Sequence, residues 1–137
     1  MRPSVDQQVV FFYVAELVRT RHFYEEILGL KTALDQGTCR IYHVAGQGFV
    51  GFCQSPEKCQ TDGVILTFVT QEVDAWHTYL VDHGVTVEKE PVLNPKYNIY
   101  HFFARDPDGY KLEFQTFLDP SWPSINLNVN HQNLPEG

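Results

Sequence analysis

The chain runs through the same order of elements twice, and this repetition limits its folds more than any other feature. Val9-Val10-Phe11-Phe12-Tyr13-Val14 is an apolar run rich in β-forming residues and too short for a buried helix, so it reads as an interior strand. Residues 17–28 follow, with Thr20, Phe23, Tyr24, Ile27 and Leu28 at helical spacing and Gly29 where a helix end favours a left-handed residue. Residues 30–34, 39–45 and 49–54 read as strands, the last two paired around Gly46-Gln47-Gly48. The order then returns. Residues 64–69 form a second apolar strand, and residues 73–83 a helix with Val73, Trp76, Tyr79 and Leu80 on one face, ended by Gly84. Residues 85–87 are a strand and 91–98 a loop, and two closing strands cover 100–104 and 110–117. Val14 and Val69 are 55 residues apart, as are Gly29 and Gly84. Two copies of one βαβββ module account for this pattern; a solenoid needs three or more repeats.

The closing strands flank Asp106-Pro107-Asp108-Gly109. Proline suits the second position of a type I turn, Asp tolerates the third, and Gly109 can take the left-handed conformation that closes a bulged hairpin. Glu113 therefore sits inside a strand just past a tight turn. Leu112 and Phe114 lie on the face opposite to it.

The expected architecture is α+β, a single domain over 1–137, with modules at 9–54 and 64–117, a polar linker at 55–63 and an irregular tail at 118–137 in which Trp122 is a candidate for docking. Phe23, Leu28, Trp76 and Leu80 should pack on the outer sheet faces. A net charge of −7 argues against nucleic acid or an anionic membrane as partner. No apolar run approaches membrane-spanning length, and the first residues do not read as a signal peptide. Cys39, Cys53 and Cys59 are odd in number and lack C-x-x-C spacing, which reads as inert thiols in a reduced, cytoplasmic chain.

Tyr13-Val14-Ala15-Glu16-Leu17, then Phe23-Tyr24-Glu25-Glu26-Ile27-Leu28-Gly29-Leu30, then the block from Asp106 to Phe114 carry a resemblance. Over residues 9–117 the chain resembles the vicinal oxygen chelate superfamily, which holds glyoxalase I, bleomycin-resistance proteins, fosfomycin-resistance enzymes and extradiol dioxygenases. The resemblance implies paired modules whose half-open mixed sheet curls around a cleft, usually completed in a homodimer. In its metal-using members four strands supply ligands, and Glu113 matches the fourth. The first slot falls at Val9, with Gln8 beside it but pointing to the other face. The slot ending the first module falls near Gly51. The second module's opening slot falls at Val64, or at Ile65 when counted from the helix. One ligand in four survives, so no metal and no other cofactor is expected in the cleft.

Strand alternation aims Val9, Phe11 and Tyr13 at the cleft from the first strand, and Val64, Leu66 and Phe68 from the fifth. His101 and Phe103 share a parity on the strand before the hairpin, and the fosfomycin-resistance relatives have cleft-facing residues at both positions. His22, His77 and His83 read as surface or boundary residues, His131 lies in the tail, and the facing of His43 stays open. An apolar cavity with a few convergent polar groups follows, lined by Phe11, Tyr13, Phe68, His101, Phe103 and Glu113. Its ligand would be a small aromatic or amphipathic molecule with a donor for Glu113. Glu113 and His101 should form a polar pair, since a lone buried carboxylate is costly. Two functions stay open: metal-free binding of such a molecule, or a lyase, isomerase or dioxygenase with an atypical metal site or with Glu113 as general base.

Overall fold

The computed structural model describes residues 1–55, 57 and 60–123, which separate into two compact units on either side of residues 58–59. Cys59, His131 and tail residues 124–137 lie outside the described residues. No helix among the described residues is long and apolar enough to cross a membrane.

The first unit is built from β1 (Gln8–Val14), α1 (Leu17–Arg21), β2 (Lys31–Asp35), β3 (Cys39–Ala45) and β4 (Gly48–Gln54). Helix α1 widens into a π-helix over His22–Ile27, with the Leu28 N–H donating to the Phe23 carbonyl. The sheet order is β1-β4-β3-β2, parallel at β1–β4 and antiparallel elsewhere, so β1 is an end strand rather than the interior strand expected. Phe12, Val14, Tyr42, Val50 and Phe52 are buried together with Leu17, Phe23, Tyr24 and Leu28 from the helical segment. Tyr24 is the centre of this core, its ring 4.2 Å from that of Phe52. Burial also pushes the Tyr42 hydroxyl up to about 12. Arg40 ties the π-helix to the sheet, donating from Nε to Glu25 (2.6 Å) and from Nη1 to Asp35 (2.7 Å). Burial pulls the Glu25 carboxyl upward, but hydrogen bonds from Thr32 and Arg40 outweigh it and hold the group below its usual range.

The opposite face of this sheet carries Val9, Phe11 and Tyr13, with Phe11 and Tyr13 50% and 66% exposed. Phe11 is the in-register partner of Gly51, and a Cβ at Gly51 would meet the Phe11 ring at 2.5 Å. A side chain at this position would have to displace the half-exposed Phe11 ring. His43 shares this face, paired with Phe49, and its Nε2–H donates to the Gly46 carbonyl at 2.8 Å.

Cys39 and Cys53, read from sequence as inert thiols, are joined by a disulfide. They are direct partners in the β3–β4 ladder, a proximity set by hairpin register that no sequence spacing announces. Replacing Cys53 by Ser is expected to lower stability by about 2 kcal/mol, the low end for a disulfide because the hairpin already restrains its loop. Peptide mapping without reductant should recover the linked pair. Two free thiols at these positions in protein purified without reductant would refute it.

The second unit contains β5 (Ile65–Val69), α2 (Val73–Asp82), β6 (Thr86–Val87), β7 (Val92–Asn94), β8 (Ile99–Arg105) and β9 (Lys111–Phe117). Its order is β5-β9-β8-β6, with β7 also on β8, so part of the expected 91–98 loop is a short strand. Val73 and Leu80 are buried, Trp76 lies on Phe114 at 5.2 Å, and His77 meets Phe102 edge-on at 5.1 Å. Trp122 stacks on Phe117 with ring centres 3.8 Å apart, which docks the start of the tail.

Candidate functional site

The Asp-Pro-Asp-Gly turn aligns β8 with β9. The Gly109 N–H donates to the Asp106 carbonyl at 3.0 Å, and the Asp106 carboxylate accepts from the Asp108 and Tyr110 N–H groups, both at 2.9 Å. Gly109 takes φ +95°, which a Cβ would strain. The resulting register sets Phe103 opposite Glu113 and His101 opposite Gln115. In-register residues of neighbouring strands share a face, so His101, Phe103, Lys111 and Glu113 lie together.

The expected polar pair forms directly. The His101 Nδ1–H donates to Glu113 Oε2 at 2.7 Å, and each residue is only 8% exposed. The Thr67 hydroxyl donates to Glu113 Oε1 at 2.9 Å. Both carboxylate oxygens are thus engaged, and the imidazole is held by one nitrogen. In the neutral imidazole with the proton on Nδ1, Nε2 is an acceptor. No partner for Nε2 occurs among the described residues. His101 and Phe103, with ring centres 5.0 Å apart, help line a cavity of about 320 Å³ together with Val92, Asn94, Glu88, Glu90 and Lys111. Glu113 is not among its lining residues.

Leu66 and Phe68 do not join this face, contrary to the sequence expectation, and Val64 lies before the strand begins. Strand β5 pairs in parallel with β9, Thr67 opposite Glu113 and Phe68 opposite Phe114. Phe68 therefore stacks on Phe114, at 5.1 Å, on the face that carries α2. The matching pair in the first unit is Phe11 with Gly51, so Phe11 corresponds to Thr67, 56 residues on rather than 55. A slip of one residue turns every side chain of a strand over. Phe11 and Tyr13 belong to the first unit, on the face its helix leaves uncovered. Sequence reasoning missed Thr67 and Lys111. The signals were a lone hydroxyl in an apolar run and a cation two residues before Glu113.

A sequence profile of the Glyoxalase/Bleomycin resistance protein/Dioxygenase superfamily matches residues 7–114. The chain belongs to this superfamily. An integron cassette protein from the mobile metagenome of the Halifax Harbour sewage outfall has the same fold at a TM-score of 0.72 and 26% identity, over 82% of this chain and 98% of that one. A glyoxalase/bleomycin resistance protein/dioxygenase from Nocardioides superposes at 0.72 with 15% identity, over 92% of each chain. An integron cassette protein of V. cholerae superposes at 0.67 with 22% identity, over 85% of this chain and 98% of that one. No match emerged among curated proteins.

The metal of the superfamily's metal-using members does not fit the residues present here. Of the four slots only Glu113 carries a donor side chain, each of its oxygens already accepts one hydrogen bond, from Thr67 or from His101, and the Gly51 slot has no side chain at all. Among the described residues no three His, Cys, Asp or Glu side chains converge as a divalent ion requires.

Proposed function

We propose that this member of the glyoxalase superfamily binds a small aromatic or amphipathic molecule, without a metal ion, in the cavity that His101 lines. The observation that carries this reading is the orientation of His101: Glu113 holds Nδ1, and the other ring nitrogen is left for a ligand. An acceptor that is open to the cavity suits a ligand donor, a hydroxyl or N–H, next to a planar group packed on Phe103. The sequence assigned ligand contact to both Glu113 and His101. Here Glu113 is a positioning residue, and His101 meets the ligand.

The test begins with a thermal-shift screen of aromatic alcohols and amines, with hits mapped by amide NMR to Val92, Asn94, His101 and Phe103. His101→Phe should weaken a mapped hit at least tenfold, the value of about one hydrogen bond to a polar ring nitrogen. Affinity should survive dialysis against EDTA. Loss of binding on chelation with recovery on adding zinc would overturn the metal-free reading, and unchanged affinity in His101→Phe would remove His101 from the site.

The same dyad supports a second reading, in which His101 Nε2 takes a proton from the bound molecule. In an enzyme of this kind the base is His101 rather than Glu113, whose oxygens are engaged. Deuterium uptake from solvent by a mapped ligand, lost in His101→Phe, would favour it; a ligand that seats in the cavity and never exchanges would sink it.

The exposed apolar residues Val9, Phe11 and Tyr13 support a homodimer. Sedimentation at micromolar concentration should give a species of twice 15.8 kDa, and a single 15.8 kDa species would count against it.

A further inference from the structure

Lys111 stands on the same face of β9 as Glu113 and directly opposite Arg105 of β8. Its Nζ lies 4.1 Å from the centre of the Phe103 ring, and the side chain is half-buried. No carboxylate pairs with it among the described residues. Arg105, by contrast, is clamped: Nε donates to Glu88 at 2.8 Å and Nη1 to the Gly109 carbonyl at 3.1 Å, leaving Nη2 unspent. Lys111 lines the His101 cavity and also a second one, of about 360 Å³, that it shares with Arg105 and Thr61. Asp62 lines the second cavity and Glu90 the first, and both are exposed.

We propose that Lys111 and Arg105 form an anion subsite that takes a carboxylate or phosphate group. Resting on the reading of the His101 cavity above, the ligand then has three parts: a donor for His101, a planar body on Phe103, and an anionic end at Lys111. The ring face beneath Lys111 attracts the ammonium without neutralising it. A half-buried cation has lost part of its hydration, so an anion arriving there recovers a charge-assisted hydrogen bond. The Arg105 fork, fixed by two bonds, adds donors whose orientation is already set. Glu88 is paired with Arg105, while Lys89 and Glu90, both exposed, line the first cavity beside the half-buried Lys111.

Two probes test this. The first is inorganic phosphate, titrated into the full chain at constant ionic strength and followed by amide NMR. It should give saturable shifts at Arg105 and Lys111 that weaken at least tenfold in Lys111→Gln, a variant at a half-buried position whose melting temperature checks its folding. No saturable shift, or equal affinity in the folded variant, would overturn the subsite. The second compares benzoate with its neutral counterpart benzamide. Wild type should prefer benzoate about tenfold, and Lys111→Gln should lose the preference. Equal affinities of the two in wild type would overturn the subsite and leave the cavity standing. Phosphate binding without either aromatic probe would do the reverse, keeping the subsite and removing the aromatic cavity.

Discussion

Glu113→Leu is expected to destabilise the protein by about 3 kcal/mol, because it orphans two donors at once. The Thr67 hydroxyl and the His101 Nδ1–H both end on this carboxylate, and Glu113 and His101 are buried. A buried polar group left without its partner costs about 1–3 kcal/mol. Leucine supplies apolar burial in return, which keeps the loss from reaching the sum of both penalties. Glu113→Gln is the control. Its amide oxygen can accept from His101 while the Thr67 hydroxyl rotates to accept from the amide nitrogen, so stability should change by less than about 1 kcal/mol. Urea unfolding of the two variants reads the difference. A Glu113→Leu protein as stable as wild type would mean that the pair is not the buried network described. Ligand affinity should fall in Glu113→Leu as well, since the imidazole loses the bond that orients it.

Phe114→Ala should cost more, about 4 kcal/mol, although the position is adjacent in sequence. Phe114 is 1% exposed and its ring lies 5.1, 5.2 and 5.3 Å from those of Phe68, Trp76 and Phe102. Removing it leaves a cavity walled by three aromatic rings that cannot all collapse inward. Phe103→Ala, on the opposite face and half-buried, should cost only about 1 kcal/mol. Equilibrium unfolding distinguishes them. Comparable losses for Phe103 and Phe114 would contradict the assignment of the two faces of β8 and β9.

These contrasts show how far the residue pattern could be read. The apolar runs, the helical spacing after each and the glycines that follow them point to two βαβββ modules, because hydrophobic periodicity and backbone preference are local properties. The superfamily was legible in Phe23-Tyr24, Leu28-Gly29 and the Asp106-to-Phe114 block, and the family profile matches across all three. The Asp106 turn was legible for the same reason: proline, aspartate and glycine each favour one position of it. The Glu113–His101 pair followed from strand parity on the two sides of that turn. Phe68 was misassigned because Val64-Ile65-Leu66-Thr67-Phe68-Val69 is apolar on both faces, and such a strand leaves its register open.

The sequence by itself determined the modules, the hairpin and the placing of His101, Phe103 and Glu113 on one face, all of which depend on spacings of a few residues. Only the tertiary structure decided what those groups do to one another. Parallel pairing of β5 with β9 brings Thr67, 46 residues away, to Glu113 and so occupies the carboxylate that the residue pattern offered to a ligand. The β3–β4 register likewise sets Cys39 against Cys53, and the β1–β4 ladder lays Phe11 over Gly51. The β5–β9 and β1–β4 registers arise when distant strands meet, and in the β3–β4 hairpin an irregularity between His43 and Ala45 shifts the pairing, so the local runs alone do not give these contacts.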